Sequence, residues 1–365
     1  MINIPTKMSA VLTTGHGGFE VLEFRNDVEV PSPNSEQVLI KVLAAGVNNT
    51  DINTRTAWYS KSVTGETGVG GAEGFDDAKN DDGSWSGTPL SFPIIQGADC
   101  CGEIVEVGGQ IGRSRIGERV LVRTMQQYAV DYRPFECWTL GSECDGAFAQ
   151  YMLAYSDESY KIESDWSDVE LASIPCAYST AENLLERSNV SKGETVLVTG
   201  SSGGVGSAAI QLAKRRGAKV IGIAGKDKIA GVQNIGADIV IKRGESLGSV
   251  LGSECVDVVI DLVAGSQWSE LLDVLKKGAR YATAGAIAGP IVELDVRTLY
   301  LKDLTLMGCT FQDSRVFENL IGYIERNEIK PLVVKSYHLK DIVQAQEDFL
   351  AKKYVGKLVL VPPVV

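Results

Sequence analysis

A cluster of glycines near residue 200 is the stretch of this chain best suited to chemistry. Thr195-Val-Leu-Val-Thr-Gly200-Ser201-Ser202-Gly203-Gly204-Val205-Gly206 passes from an apolar run into a glycine-rich bend, and the next eight residues continue at helical spacing. Gly200, Gly203 and Gly206 fit G-x-x-G-x-x-G, with Gly204 additional. Glycines let backbone approach a pyrophosphate, and a helix N-terminus offers unpaired N–H groups with partial positive charge. Gly206 lets the helix pack closely on the strand. A glycine pattern alone is weak evidence, and a structural glycine turn is its plain alternative. The strand before it, the helix after it and the apolar run at 219–224 favour a dinucleotide site.

The end of that next strand selects the cofactor. NAD sites carry Asp or Glu there, bonded to the ribose 2′-hydroxyl. Here the residues are Ile223-Ala224-Gly225-Lys226-Asp227-Lys228, with no acid at the strand tip. Lys226, Lys228 and the hydroxyls of Ser201 and Ser202 would attract a 2′-phosphate. The expectation is NADP(H). The competing reading makes both lysines solvated loop charges and gives the ribose to Asp227.

Other chemistries are narrowed by composition. Two histidines, His16 and His338, nearly exclude a histidine cluster. Seven cysteines, at 100, 101, 137, 144, 176, 255 and 309, form no C-x-x-C, so neither a zinc ribbon nor a dithiol centre is indicated. A net charge of −12 opposes extended nucleic-acid binding and attachment to an anionic membrane surface. The apolar runs fall far short of the ~20 residues that span a bilayer. Residues 1–14 lack a basic stretch followed by an apolar one, so no secretory signal is expected and the cytoplasm is.

These residues must be held by two domains, the number that 365 residues suggest. The first 55 residues read as strands and turns, with runs at 9–13, 21–24 and 37–45. Strand signals return at 102–107, 119–122 and 148–154. A helical pattern covers 169–188, broken by Pro175. Short apolar runs at 196–198, 220–224, 239–241, 256–262, 281–284 and 304–307 then alternate with helices, as in a parallel sheet covered on both faces. Helices at 316–327 and 339–352 and a strand at 357–361 complete the pattern. Residues 60–91 form a long polar excursion rich in glycine and aspartate. A calcium loop fails on spacing: with Gly83 at the sixth position, Ala78 falls at the first and Pro89 at the twelfth. A loop this long is functional or mobile.

Together these segments resemble the medium-chain dehydrogenase/reductase superfamily over residues 8–361. The resemblance rests on Ala45-Gly-Val-Asn-Asn-Thr-Asp51, Ile95-Gln-Gly-Ala-Asp-Cys-Cys-Gly-Glu-Ile-Val-Glu-Val-Gly108, Gly117-Glu-Arg-Val120, the loop ending at Gly206 and Gly356-Lys-Leu-Val-Leu360. The chain is most similar to the zinc-free quinone oxidoreductase and enoyl reductase branch. Zinc alcohol dehydrogenases carry Cys where this chain has Asn48, and His-Glu where it has Ala98-Asp99. Their structural zinc lobe needs four close cysteines, and here the region after Met125 holds Cys137 and Cys144 alone. No metal is expected.

The resemblance implies an α/β protein with a β-rich GroES-like catalytic domain at 1–170 and 313–365. A Rossmann-type cofactor domain, with a doubly wound parallel sheet, would occupy 171–312. Asn48, Asp51 and Tyr59 match the branch pattern G-x-N-x-x-D-x(7)-Y. Asn48 would bond the nicotinamide ribose or the substrate carbonyl. Tyr59 would serve the developing enolate or simply line the cleft, and Asp51 would hold backbone or Arg55. Thr180 matches a nicotinamide contact. Val263 and Gly285 would pass the ribose and nicotinamide, and Phe311 and Lys357 match positions near the cofactor. The implied activity is NADPH-dependent reduction of quinones or activated C=C bonds by hydride transfer. The alternatives are an enoyl-thioester reductase and a low-turnover NADPH-binding protein. The partners expected are a small-molecule substrate and a second copy, paired through 304–308, with no nucleic acid or membrane. The excursion at 60–91 replaces a short link in related enzymes. It is expected beside the substrate cleft, ordering on binding and setting substrate size.

Overall fold

The computed structural model of this chain describes residues 4–364. The uninterrupted apolar runs after residue 190 become strands buried on both faces. Thr195–Val198, Lys219–Ala224 and Val256–Asp261 each bury nearly every residue. They belong to a six-stranded sheet ordered Ile239–Lys242, Lys219–Ala224, Thr195–Val198, Val256–Asp261, Leu275–Thr283, Thr305–Gly308. Every neighbouring pair is parallel. The chain winds outward from Thr195–Val198 to one side, then crosses to Val256–Asp261 and winds to the other. Such a reversal opens a crevice at the carboxyl ends of the central strands, where open α/β sheets bind ligands.

The half-polar strands build the other layer. Gln37–Gly46 is the centre of a seven-stranded sheet and pairs antiparallel with Cys100–Val107 and Tyr151–Tyr155. The strand Lys357–Val361 returns from the far end of the chain and joins Gln37–Gly46, with Val359 opposite Gly46. That single pairing carries Lys357 to the Val47–Asn48 corner. A three-stranded sheet of Leu22–Glu29, Lys7–Thr13 and Ile94–Ile95 lies beside it.

The helical stretch around Pro175 splits into Asp168–Leu171 and Pro175–Arg187. Proline sits in the first turn, where its missing N–H has no intrahelical acceptor to lose. One helix departs from the sequence reading. Asn49–Arg55 lies where strands and turns were expected. Its Asn, Thr and Asp residues favour turns, which hides it. A reciprocal cap rescues it: the Asp51 carboxylate accepts the Asn48 N–H at 2.7 Å. The strand Val333–His338 and the short helices Ile229–Ile235, Leu247–Leu251, Trp268–Asp273 and Val296–Leu301 likewise carry no clear local signal.

The excursion at 60–91 has neither helix nor strand, yet it is tied down. Arg55 is fully buried and anchors it. Its guanidinium donates to Gly71 O at 2.5 Å, Gly17 O at 2.8 Å and Gln346 Oε1 at 3.0 Å. Burial pushes the Arg55 pKa down to about 10, against a smaller upward pull from Glu20. Trp58 Nε1 holds Gly65 O, and Ser86 N–H reaches Glu143.

Candidate active site

The glycine loop closes against itself so tightly that side chains are excluded. A Cβ on Gly206 would lie 2.2 Å from Gly200 O, and Gly200 has φ +58. The loop opens the helix Gly204–Arg215, whose first N–H groups have no intrahelical acceptor. This is a cradle for a diphosphate. Val205 and Ser202 lie in it, and Ser202 O accepts the Gly356 N–H at 3.1 Å. The Ser201 hydroxyl, expected to help a phosphate, is engaged inside the fold. It donates to Val198 O at 2.7 Å and accepts the Ile223 N–H at 2.9 Å.

Beyond Ala224 and Gly225 the charges converge. Lys226 is exposed, while Lys228 is half-buried and donates to Lys352 O at 2.8 Å. Arg243 joins them, its N–H bonded to Ala224 O at 2.7 Å. Burial and the Arg243 charge lower the Lys228 pKa. Burial, then Lys228 and Arg243, lowers that of Lys352, against a smaller opposing effect of Glu66. These cations share one patch beside the strand tip, and like charges so gathered disfavour one another's charged forms. Sequence reasoning found Lys228 and missed Arg243 and Lys352, because the sheet and the helix Ile342–Ala351 bring them together from distant segments.

On the other side of the crevice, Asn48, Asp99 and Lys357 form a buried clasp. Lys357 Nζ donates to Asn48 Oδ1, to Asp99 Oδ2 at 2.9 Å and to Val47 O at 3.1 Å. Asn48 Nδ2 donates to Asp99 Oδ2 at 2.8 Å. Asp99 Oδ1 accepts the Cys176 N–H at 2.6 Å, which fixes the start of the helix carrying Thr180. Thr180 Oγ1 donates to Cys176 O at 2.7 Å. Asp51 accepts the Asn48 N–H, and Arg55 turns away to anchor the excursion. Burial, aided by the Asp99 charge, pushes the Asp51 pKa up to about 7 against the Asn48 N–H. Tyr59 donates to Thr50 Oγ1 at 3.1 Å and lies beside the Trp85 ring, with centroids 6.0 Å apart. Burial lifts its pKa to about 12. Cys176 is buried among these groups, its thiol pKa raised by burial and Asp99.

The remaining expected residues frame the crevice. The Val263 N–H donates to Asp261, and Gly285 O accepts the Thr283 hydroxyl. Phe311 packs on Phe135, with centroids 5.5 Å apart, and Phe311 O accepts from Asn183 at 2.9 Å. A Cβ on Gly204 would lie 2.7 Å from Lys357 Cδ, so the Lys357 stem runs beneath the phosphate loop to the clasp.

Two family models match the chain: the alcohol dehydrogenase GroES-like domain over 34–164 and the zinc-binding dehydrogenase over 204–326. The acryloyl-coenzyme A reductase of Metallosphaera sedula is 30% identical over 97% of this chain and 99% of its own length. The quinone oxidoreductase of Lama guanicoe is 31% identical over 97% of each chain. The chain belongs to the medium-chain dehydrogenase/reductase superfamily, in its quinone oxidoreductase and enoyl reductase branch. A solved Sinorhizobium meliloti 1021 protein, named provisionally as an alcohol dehydrogenase, superposes with a TM-score of 0.87. It is 44% identical and covers 98% of that chain and 99% of this one.

As a medium-chain dehydrogenase/reductase, the protein is an oxidoreductase with a GroES-like domain and a Rossmann-type parallel-sheet domain. Members of this superfamily use NAD(P)H, and the loop, the helix N-terminus and the crevice fit such a dinucleotide. The catalytic metal of some members fits poorly. Asn48 and Asp99 already grip an ammonium. A dication beside Lys357 would meet like charge at close range.

Proposed function

We propose that this oxidoreductase uses NADPH to reduce quinones or C=C bonds conjugated to a carbonyl, without a metal. The Asn48–Lys357–Asp99 clasp is the observation that carries this reading. It places a fixed positive charge at the crevice floor, where a metal-dependent member would need an open coordination site. A conjugated acceptor spreads developing negative charge and needs less Lewis-acid help than a simple ketone. The cluster of Lys228, Arg243 and Lys352 supports NADPH over NADH. The cofactor supplies hydride when bound. The protein's part is to orient and to stabilise charge. Tyr59 keeps its proton at neutral pH, since its pKa is pushed up to about 12, and can offer it to a substrate oxygen. The Asn48 amide is held rigid by Lys357 and Asp99. Thr180 and Val263 border the nicotinamide end.

A second reading, reduction of an enoyl thioester, is favoured by the likeness to acryloyl-coenzyme A reductase. One panel separates them: NADPH oxidation followed with a small quinone, simple enones, acryloyl-CoA and a plain ketone. Turnover of quinone or enones that survives exhaustive chelation is expected, with Tyr59→Phe lowering kcat up to ~10²-fold. Turnover confined to the thioester would select the second reading. Turnover confined to the ketone, or loss of activity with stoichiometric zinc, would overturn the proposal. A protein that binds NADPH and turns over nothing would be a sensor.

The same reading divides the chain at 170 and 312. Asn183 donates to Cys309 O and Phe311 O, and buried Arg123, paired with Glu158, donates to Gln312 O, at the place where the chain would cross back. Seven unpaired cysteines suit a reducing cytoplasm. No helix among the described residues is long and apolar enough to cross a membrane.

A further inference from the structure

The wall of the cleft beside the clasp is aromatic. Asn48 leads into the helix Asn49–Arg55, and Thr50 on that helix accepts the Tyr59 hydroxyl at 3.1 Å. Two indoles adjoin the Tyr59 ring. Trp58 meets it edge-on with centroids 5.8 Å apart, and Trp85 lies tilted by 34° at 6.0 Å. Trp58 is pinned at its far end, where Nε1 donates to Gly65 O at 3.0 Å. Trp85 is different. It joins no apolar core cluster, it is partly exposed, and its Nε1 makes no hydrogen bond among the described residues. A tryptophan that serves packing alone is buried with its N–H paired.

The backbone around Trp85 is nevertheless fixed. Gly83 is buried, and a Cβ on it would lie 2.8 Å from Ala57 Cβ. Ser84 is 1% exposed; its hydroxyl accepts the Thr88 N–H at 3.0 Å and its carbonyl the Gly87 N–H at 3.2 Å. The Glu143 carboxylate ties this turn to the ribbon of Met125–Gln126 and Trp138–Thr139. Its Oε1 accepts the Ser86 N–H at 3.0 Å and its Oε2 the Thr139 N–H at 2.9 Å. The turn thus holds in place an indole that the core does not use.

We propose that Trp85 selects the substrate: its indole takes a planar, ring-containing acceptor, a quinone or an aryl-conjugated enone, in preference to a short aliphatic enone or an acyl thioester. An electron-rich indole attracts a flat, electron-poor ring through its quadrupole and through dispersion over the whole face. An acryloyl group offers no such face. Tyr59, beside Trp85, meets the acceptor's oxygen, so the stack and the hydrogen bond address one substrate. Glu143 is the positioning residue that keeps the indole there. The proposal rests on the reading of the protein as a metal-free reductase of conjugated acceptors and names the acceptor class within it.

The test is steady-state NADPH oxidation with a naphthoquinone, methyl vinyl ketone and acryloyl-CoA, for wild type and three variants. Trp85→Leu should lower kcat/KM for the naphthoquinone about three- to tenfold, through KM, and leave the two aliphatic acceptors within about twofold. Trp85→Phe should recover most of that loss, which separates ring stacking from the filling of space. Glu143→Gln, which keeps one of the two backbone bonds, should fall between wild type and Trp85→Leu for the naphthoquinone alone. The turn is held by its backbone and the ring is partly exposed, so folding does not depend on Trp85. Equal losses for all three acceptors in Trp85→Leu, or no loss for the naphthoquinone, would overturn the role of Trp85. Wild-type protein that reduces neither the naphthoquinone nor the ketone would instead overturn the functional reading beneath it.

Discussion

An ammonium buried against Val47 O, Asn48 Oδ1 and Asp99 Oδ2 has all of its protons engaged. Lys357 therefore acts by fixed charge and by holding Asn48 and Asp99, with none of its N–H groups left for substrate. Removing one member of a buried pair leaves the other charge stranded. Lys357→Met should accordingly lower the unfolding free energy by about 3–5 kcal/mol in urea titration. A loss below about 1 kcal/mol would mean that water reaches the pair. Asp51 is the complementary case. Its carboxyl is protonated in the fold up to about pH 7 and ionises near 4 in an unfolded chain. Between those values the fold binds the extra proton, so this residue's contribution falls as pH rises and the full penalty stands above pH 7. Asp51→Asn should gain stability relative to wild type as pH goes from 5 to 8, by about 3 kcal/mol. A gap that stays constant or narrows would show that Asp51 is ionised at low pH.

The glycine loop and its helix can grip a diphosphate whether or not a 2′-phosphate is attached. On the NADPH reading, discrimination would rest with the elements beside them: the turn after Lys219–Ala224, the residue after Ile239–Lys242 and the end of the helix Ile342–Ala351. Lys228→Ala, Arg243→Ala and Lys352→Ala should each weaken NADPH roughly ten- to a hundredfold and leave NADH nearly unchanged. Lys226→Ala, at an exposed position, should do less. Calorimetric Kd values decide this, and equal losses for both cofactors would turn the cluster into a general phosphate grip. Two of these three cations lie outside the glycine motif and the strand tip, where a cofactor-specific signal is sought in sequence. They were not legible there because no spacing rule links a strand end to a helix end more than a hundred residues away.

At the scale of the whole molecule, the six-stranded sheet ends in the strand Thr305–Gly308, which has an open side. The neighbouring surface is apolar: Ile291 is 71% exposed, Val296 and Tyr300 58%, and Leu301 64%. An open edge beside exposed apolar side chains is an aggregation hazard unless another copy covers it. A homodimer paired at this edge is expected, with twice the 39.2 kDa of one chain in sedimentation equilibrium at micromolar concentration. Leu306→Pro removes an N–H that faces the open side, since the Cys309 N–H, an odd number of residues along, donates inward to Thr283 O, and should shift the protein to monomer. A monomeric wild type would refute the pairing.

Local order was legible in the sequence wherever one segment was enough to determine it. The apolar runs after residue 190 had to be buried strands, and the glycine loop had to be a strand-to-helix turn, because short-range periodicity and the absent Cβ atoms require it. Asn48, Asp51, Thr180 and Lys357 were named from their motifs, but their contacts were not. The strand Lys357–Val361 must cross the molecule to pair with Gln37–Gly46 before Lys357 can meet Asn48. The helix Asn49–Arg55 was hidden because its residues are poor helix formers, and the Asp51 cap decides it. Orphans such as the Thr67 hydroxyl exist only once burial is known. A chain's neighbours in sequence set what each segment prefers. Long-range pairing alone sets which charges share a low-dielectric site, and that juxtaposition clamps Lys357 between Asn48 and Asp99 and gathers Lys228, Arg243 and Lys352 into one patch.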